Sequence, residues 1–167
     1  AEQFESISDN FYCKDVIRQG KQIVMVLQQI ATAGTGKKEQ PKEKFMLLHM
    51  GMTGRITTKA SSCRFVPHAE DYKVDAEYPP KLTELTFQMG DFEAAFSDPR
   101  KFGSCEVRDD PTAFDGLAPD AWTATEIEIE NHILPRLTEQ KRGIKAILLD
   151  QKRACCGVGN WVVDEVL

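Results

Sequence analysis

The sequence predicts an α+β protein in which strands come first and helices follow. Between Phe11 and Arg108, short apolar segments with the two-residue period of strands alternate with turn residues. After residue 122 the apolar residues recur at helical spacing, and a stretch containing Pro111 and Pro119 separates the two patterns. We therefore predict a strand domain over residues 1–111, a linker over 112–122 and a helical module over 123–167.

The strand pattern begins at Phe11 and reaches a first turn at Gly20 and Lys21. Further strands are predicted at residues 23–27, 45–50, 55–58, 82–88, 92–97 and 104–108. Gly90 and Asp91 indicate a hairpin between the strands at 82–88 and 92–97. Residues 1–10 are predicted to end a helix, residues 31–44 to form a polar loop, and residues 59–81 to form a long irregular connection.

Three helical segments are predicted in the last third of the chain. Residues 125–138 carry Ile129, Ile133 and Leu137 at a spacing of four, and Pro135 is expected to kink or end this helix. Two shorter apolar segments follow at residues 144–149 and 161–167. The connector between them, residues 155–159, ends at Asn160, which is predicted to cap the last helix because its side-chain oxygen can accept a free backbone N–H.

The last of these helices and its surroundings predict an anion site. The first N–H groups of a helix attract anions, and the glycines of the connector let another backbone approach closely. Within residues 141–160 the net charge is +4 (5 − 1), against −5 for the whole chain. The basic residues are Lys141, Arg142, Lys145, Lys152 and Arg153, and the acid is Asp150. The negative excess could lie on a far face that carries Asp120, Glu126, Glu128 and Glu130.

Known nucleotide motifs do not fit this sequence. A dinucleotide motif starting at Gly157 would need glycine at Val162, and a P-loop around Gly36 would need glycine at Ala31 and serine or threonine at Lys38. A polyanion backbone is therefore favoured over a mononucleotide cofactor. The five scattered cysteines form no C-x-x-C pair and the three histidines lie far apart, so we expect a reducing compartment, no metal site and no cofactor.

Composition excludes some classes of protein. A hydrophobic fraction of 41% with 28% charged residues is typical of a chain that forms a core. No apolar run approaches the roughly 20 residues of a membrane span, and the acidic, polar N-terminus is unlike a signal peptide. The absence of an initiating methionine suggests that the chain has been cut.

Three large side chains occupy tight turns, and solvent exposure is unfavourable for the two apolar ones, Met52 and Phe102. Met52 lies between Gly51 and Gly54, and Arg100 and Phe102 flank Lys101. Each could cap the end of a sheet, or together they could project and wedge into stacked bases. Lys21 is either a solvated lysine or a phosphate ligand, and Asn160 could combine capping with a phosphate contact.

Four ordered motifs resemble the formamidopyrimidine-DNA glycosylase/endonuclease VIII family over most of the chain. They are Gln19-Gly20-Lys21, His49-Met50-Gly51-Met52-Thr53-Gly54, Asp98-Pro99-Arg100-Lys101-Phe102-Gly103, and Ile144-Lys145-Ala146-Ile147-Leu148-Leu149-Asp150-Gln151 through Gly157-Val158-Gly159-Asn160-Trp161. Residues 31–44 and 59–80 diverge from the family, and the ending after Gly159 is most similar to the plant and fungal branch.

The resemblance implies a β-sandwich domain joined to the start of a helix–two-turn–helix DNA-binding module. It implies base-excision repair, in which oxidised bases are removed and the strand is cut by β-elimination. Met52, Arg100 and Phe102 would fill the void left by the everted nucleotide, Lys21 would contact the phosphate beside the lesion, and Asn160 would contact another phosphate. The expected partner is double-stranded DNA carrying an oxidised base or an abasic site.

The chain departs from the family at both ends. The family nucleophile is an N-terminal proline followed by glutamate, whereas this chain begins Ala1-Glu2-Gln3-Phe4 and, by the resemblance, starts several tens of residues into the family fold. It stops at Leu167, inside the second helix of the DNA-binding module, so a zinc or zincless finger would lie beyond it. We therefore expect no catalytic residue within these 167 residues.

Two principal hypotheses remain open at this point. The first is a bifunctional glycosylase and abasic-site lyase represented by a partial chain, and the second is a catalytically inactive fragment or degenerate homologue that binds damaged DNA. A third is an α+β domain with a chance basic cluster. The residues encoded before Ala1 would distinguish the first two.

We expect a monomer without a membrane partner, in the nucleus if the source is eukaryotic and otherwise in the cytoplasm, and not secreted.

Overall fold

Seven strands in the described part of the chain form two sheets. The computed structural model describes residues 7, 10–30, 42–59, 78–138 and 141–167. Predictions for residues 1–6, 8–9, 31–41 and 60–77, including the N-terminal helix and most of the two long connections, lie outside the described residues. The chain divides into two compact units, Ala1–Leu47 with Glu106–Leu167, and Leu48–Cys105.

The first sheet has the strand order β1-β2-β3-β7. It contains β1 (Phe11–Gln19), β2 (Gln22–Gln29), β3 (Glu43–His49) and β7 (Ser104–Arg108). Strands β1 and β2 pair antiparallel through a turn at Gly20 and Lys21, where Gly20 has a φ of +59°. Six apolar side chains of β2 and β3 are buried in the core, and they are Val24, Val26, Leu27, Met46, Leu47 and Leu48, whereas Ile23, Met25 and Phe45 are half-buried.

The second sheet has the strand order β4-β6-β5 and is antiparallel. Its strands are β4 (Arg55–Thr58), β5 (Thr83–Met89) and β6 (Phe92–Ser97). The central strand β6 buries Ala94, Ala95, Phe96 and Ser97. The prediction of a β5–β6 hairpin at Gly90 is confirmed, and every predicted strand overlaps an observed one.

The helical segments follow a 3₁₀ turn at Thr112–Phe114. They are α1 (Glu126–Glu128), a π-helical segment (Ile129–Ile133), α2 (Leu134–Thr138), α3 (Ile144–Leu149) and α4 (Asn160–Val166). No helix among the described residues is both long enough and apolar enough to cross a membrane.

Pro135 does not end the helix. Of the two expected effects, a kink or an end, the end is wrong, because helical backbone continues to Thr138, and the kink stays a prediction. Proline cannot donate the usual hydrogen bond to the carbonyl four residues earlier. A π-helical segment ends at Ile133, two residues before the proline, and changes the hydrogen-bonding pattern in the turn where that donor is missing. At the other end of this stretch, Thr125 begins α1 with a reciprocal capping box to Glu128.

Asn160 is not the cap of α4. The cap is Gly159, which has extended backbone (φ −118°, ψ 173°) and makes no side-chain capping bond. The Gly159 carbonyl already accepts a hydrogen bond from the Val163 N–H at 3.0 Å, so the helix begins one residue earlier than predicted. Asn160 is therefore the first helical residue, and its side chain is not used to cap the helix.

Candidate nucleic-acid interface

Two loops of the Leu48–Cys105 unit pack directly on each other. They are residues 50–54, which join β3 to β4, and residues 98–103, which join β6 to β7. Gly51 has a φ of +60°, and a Cβ at this position would lie 2.6 Å from the Phe102 carbonyl carbon. A Cβ on Gly103 would likewise lie 2.9 Å from the His49 carbonyl oxygen. Glycine is required at both positions because the two backbones approach too closely for a side chain.

A buried carboxylate, Asp98, organises this pair of loops. Only 1% of Asp98 is exposed. Its Oδ2 accepts the Gly103 N–H at 2.6 Å, and its Oδ1 accepts the Thr53 hydroxyl at 2.5 Å and the Arg100 N–H at 3.3 Å. The Thr53 hydroxyl and then the Gly103 N–H hold the pKa of Asp98 below its ordinary value, so the group is ionised at neutral pH.

The loop pair presents three large side chains to solvent. Met52 is 72% exposed and Phe102 is 56% exposed. Arg100 is also exposed, and its guanidinium carbon lies 4.7 Å from the centre of the Phe102 ring, a cation–π arrangement. The interpretation in which Met52 or Phe102 caps a sheet core is therefore wrong. Exposed apolar groups on fixed loops are typical of surfaces that bind a partner.

Asp98 and Thr53 were not among the functional residues predicted from the sequence. Aspartate before proline is a common start of a tight turn, and this signal was available at Asp98-Pro99. The contact with Thr53 had no sequence signal, because the two residues are brought together only by the pairing of β4 with β6.

In the other unit, a second buried carboxylate fixes the turn that carries Lys21. Asp120 Oδ2 accepts the Gly20 N–H at 2.6 Å and an Arg18 guanidinium N–H at 2.9 Å, while Oδ1 accepts the Trp122 N–H at 2.9 Å. Burial opposes ionisation of Asp120, but the Gly20 and Trp122 bonds and the Arg18 charge outweigh it and lower its pKa. The expectation that Asp120 lies on a far face is wrong, because it is buried to satisfy these donors.

The Gly20 turn packs on the connector that precedes α4. A Cβ on Gly20 would lie 2.8 Å from Cys156 Sγ and 2.9 Å from the Gly157 nitrogen. The connector itself is held by Gln151, whose Oε1 accepts the Gly157 N–H at 2.8 Å and whose Nε2 donates to the Val158 carbonyl at 3.0 Å. This packing fixes the backbone on both sides of the Lys21 side chain.

Lys21 and Asn160 are brought to the same place. A Cβ on Gly159 would lie 3.4 Å from Lys21 Nζ, so the ammonium group stands against the residue before Asn160. Asn160 is exposed at the first position of α4, where the backbone N–H groups have no acceptor within the helix. Within the described ranges, no carboxylate forms an ion pair with Lys21. The arrangement is suited to a phosphate group.

The positive charge around Lys21 and Asn160 is smaller than the count of charged residues in the sequence indicates. Lys145 pairs with Asp164, which lies outside the 141–160 window, and Arg153 pairs with Asp150 at 3.3 Å. Lys141, Arg142 and Lys152 are exposed and form no ion pair with any described residue. Three unpaired cations therefore remain near the end of the chain, together with Lys21 on its turn.

Among the described residues, no group of three or more His, Cys, Asp or Glu side chains is arranged to hold a metal ion. Cys105, Cys155 and Cys156 have raised pKa values because they are withdrawn from water, and that of Cys105 reaches about 11. Such thiols are protonated at neutral pH and are poor nucleophiles.

Solved structures share this fold. MutM bound to DNA containing carbocyclic 8-oxo-G is similar with a TM-score of 0.67 and 22% identity, covering 99% of this chain and 54% of that one. A second similar structure is Lactococcus lactis formamidopyrimidine-DNA glycosylase non-covalently bound to DNA containing an abasic site. Its TM-score is 0.68 at 21% identity, and the match covers 99% of this chain and 53% of that one. The chain is therefore an α+β protein with the fold of this part of MutM.

The sequence places the chain within a family. Residues 1–105 match the model of the formamidopyrimidine-DNA glycosylase N-terminal domain, and the chain belongs to this family. The Arabidopsis thaliana formamidopyrimidine-DNA glycosylase is 31% identical over 74% of this chain and 32% of its own length. The formamidopyrimidine-DNA glycosylase of Bacillus cereus (strain ATCC 10987) is 30% identical over 85% of this chain and 51% of its own length. The chain spans about a third to a half of the curated relatives it matches, and both a plant and bacteria are represented, so the plant and fungal branch stays a prediction.

Proposed function

We propose that this chain is part of a DNA glycosylase of base-excision repair that removes oxidised bases from double-stranded DNA. Membership of the formamidopyrimidine-DNA glycosylase family supports this function. The observation that favours it most is the loop pair, because Met52, Arg100 and Phe102 project together from a backbone fixed by Asp98. We further propose cleavage of the abasic strand by β-elimination, a β-sandwich arrangement of the two sheets, and a helix–two-turn–helix module that includes α3, the connector and α4.

The role of the loop pair follows from the cost of extruding a nucleotide. Taking a base out of the stack costs a few kcal/mol, because stacking and pairing are both lost. Apolar side chains inserted into the void restore part of the lost contact. Met52 and the Phe102 ring supply the apolar surface, while Arg100 stacks on Phe102 and keeps N–H donors free for the base that has lost its partner.

Lys21 and Asn160 hold the DNA backbone in this proposal. The ammonium group of Lys21 supplies charge, and the Asn160 amide and the first N–H groups of α4 supply hydrogen-bond donors. Neither contact depends on base identity. Lys21 should therefore contribute to binding of damaged and undamaged DNA alike, and Met52 and Phe102 should contribute only where a nucleotide is missing or everted.

A competition experiment tests this division of roles. Affinity is measured for a duplex containing a tetrahydrofuran abasic analogue and for the same duplex undamaged. We expect at least about a tenfold preference for the analogue, equal to about 1.4 kcal/mol. Met52→Ala and Phe102→Ala should reduce the preference, whereas Phe92→Ala, which removes an exposed ring from β6, should not. Equal affinity of the unmodified chain for both duplexes would refute the proposed function.

Lys21 also offers a test of the elimination step. An amine attacks a sugar aldehyde carbon only when it is unprotonated, whereas a phosphate ligand must be charged. We therefore expect Lys21→Ala to leave the yield of borohydride-trapped adduct on abasic DNA the same as in the unmodified chain, once the DNA concentration is raised to restore binding. An adduct that disappears in Lys21→Ala at saturating DNA would make Lys21 the nucleophile instead of a phosphate contact.

A further inference from the structure

We propose that Thr53 and Asp98 form a positioning pair that makes the two loops enter the duplex as one rigid wedge. This inference rests on the proposed function of Met52, Arg100 and Phe102, and it assigns to Thr53 and Asp98 a role that acts through those three side chains. Thr53 follows Met52 directly in the chain, and Asp98 lies in the loop that carries Arg100 and Phe102.

A single carboxylate oxygen joins the two loops. Asp98 Oδ1 accepts the Thr53 hydroxyl from one loop and the Arg100 N–H, at 3.3 Å, from its own loop. Its other oxygen accepts the Gly103 N–H at 2.6 Å, which fixes the backbone just after Phe102. A movement of the Met52 loop is therefore transmitted through Asp98 to the residues that hold Arg100 and Phe102.

The other contacts between the loops do not fix their register. Gly51 lies against the Phe102 backbone, but this is a close approach without a directional bond. Within residues 50–54 and 98–103, the bond from Thr53 to Asp98 is the hydrogen bond that crosses from one loop to the other. Because a bond to a charged, buried acceptor is stronger and more directional than van der Waals contact, it sets the relative position of the side chains.

Rigid coupling of the two loops has a measurable consequence for binding to DNA with a missing or everted nucleotide. If the two loops enter together, removing either Met52 or Phe102 disturbs the whole wedge, and the second removal adds little. If they enter independently, the two losses add. A double-mutant cycle separates these cases, because directly coupled residues deviate from additivity and independent ones do not.

The cycle uses Met52→Ala and Phe102→Ala, first in the unmodified chain and then in Thr53→Val, with the affinity ratio of abasic-analogue to undamaged duplex as the readout. We expect the two losses to be non-additive by about tenfold in the unmodified chain, within the range seen for coupled residues. This factor of non-additivity should fall to near one in Thr53→Val. It should return to about ten in Thr53→Ser, which keeps the hydroxyl. A purely structural role of Thr53 would weaken binding to both duplexes and leave the coupling unchanged, and that result would overturn the proposal.

Amide hydrogen exchange tests the same pair without DNA. Thr53→Val should speed exchange of the Gly103 and Arg100 N–H groups by about tenfold, the loss expected for one hydrogen bond to a charged group. Thr53→Ser should keep the original rates, and Thr57→Val on β4 should leave them unchanged. Unaltered exchange in Thr53→Val would overturn the positioning pair whatever the DNA experiments give. Absence of a preference for the abasic analogue in the unmodified chain would instead refute the proposed function.

Discussion

Replacement of Gly51 by alanine should destabilise the protein far more than the same replacement at Gly90. Both glycines lie in the Leu48–Cys105 unit and have nearly the same backbone conformation, with φ values of +60° and +58°. An L-residue in this region costs about 1–2 kcal/mol, so both variants carry that penalty. The two sites differ in the space around the new methyl group.

The methyl group of Gly51→Ala would meet backbone atoms, which can move aside only by separating the two loops. Its Cβ would lie 2.6 Å from the Phe102 carbonyl carbon and 2.7 Å from the Gly103 nitrogen, whereas the Cβ of Gly90→Ala meets nothing within 4 Å. Forcing an extra carbon into packed structure costs about 1–3 kcal/mol. For a chain of this size, each kcal/mol lowers the melting temperature by about 2–4 °C.

Thermal unfolding followed by circular dichroism measures the difference. We expect Gly51→Ala to melt about 2–12 °C below Gly90→Ala, which is the steric part of the cost alone. Gly51→Ala should also lose preference for the abasic analogue, since the clash separates the two loops, and Gly90→Ala should keep it. Equal melting temperatures for the two variants would refute the close packing of the loops.

Three further predictions concern charge and protonation. Asp98 has a depressed pKa, chiefly because of the Thr53 hydroxyl, so its contribution to stability is present above the unfolded-state pKa of about 3.9 and is lost as the pH falls through the lower folded-state value. Urea unfolding should show that the free energy of unfolding falls between neutral and acidic pH, and that it falls less in Asp98→Asn. The same fall in both proteins would contradict the stabilising role of ionised Asp98. Lys21→Ala should lower the slope of log affinity against log salt by about 0.9, as expected for one lost phosphate contact. Lys14→Ala, which removes an ion pair with Glu43, should leave that slope alone, and equal slopes for all three proteins would rule out the phosphate contact. Burial raises the pKa of Cys105 to about 11, so alkylation at pH 8, mapped by mass spectrometry, should be slow in the folded chain and fast in urea. The folded state should also lose stability as the pH rises towards that value, and rapid alkylation of folded Cys105 would contradict the withdrawal of this half-buried thiol from water.

Local patterns in the sequence were sufficient for most of the secondary structure. The two-residue period and the glycine turns predicted the strands, and Arg55–Thr58, Phe92–Ser97 and Ser104–Arg108 were predicted with their observed bounds. Strand period and turn chemistry depend on neighbours in the chain, so they can be read from the sequence alone. The exposed positions of Met52 and Phe102 were left open, because exposure depends on what else packs on the turn.

Predictions that depended on distant residues were the ones that failed. Asp120 was expected at the surface, yet Gly20 and Arg18, about a hundred positions earlier in the sequence, bind it in the interior. Lys145 was counted as a free cation, yet the packing of α3 against α4 places it beside Asp164. The Asp98–Thr53 bond was missed for the same reason. Sequence spacing contains no information on these pairs, because tertiary packing creates them.

Insertion of the wedge into DNA tests the central claim most directly. A duplex is prepared with 2-aminopurine opposite a tetrahydrofuran abasic analogue, because the emission of this base rises when it loses its stacking partners. We predict a rise in emission on adding the protein, a much smaller rise with the Met52→Ala/Phe102→Ala double variant, and an unchanged rise with Phe92→Ala. No rise with the unmodified protein at saturation, or the same rise with the double variant, would contradict the assignment of Met52 and Phe102 as the side chains that fill the void.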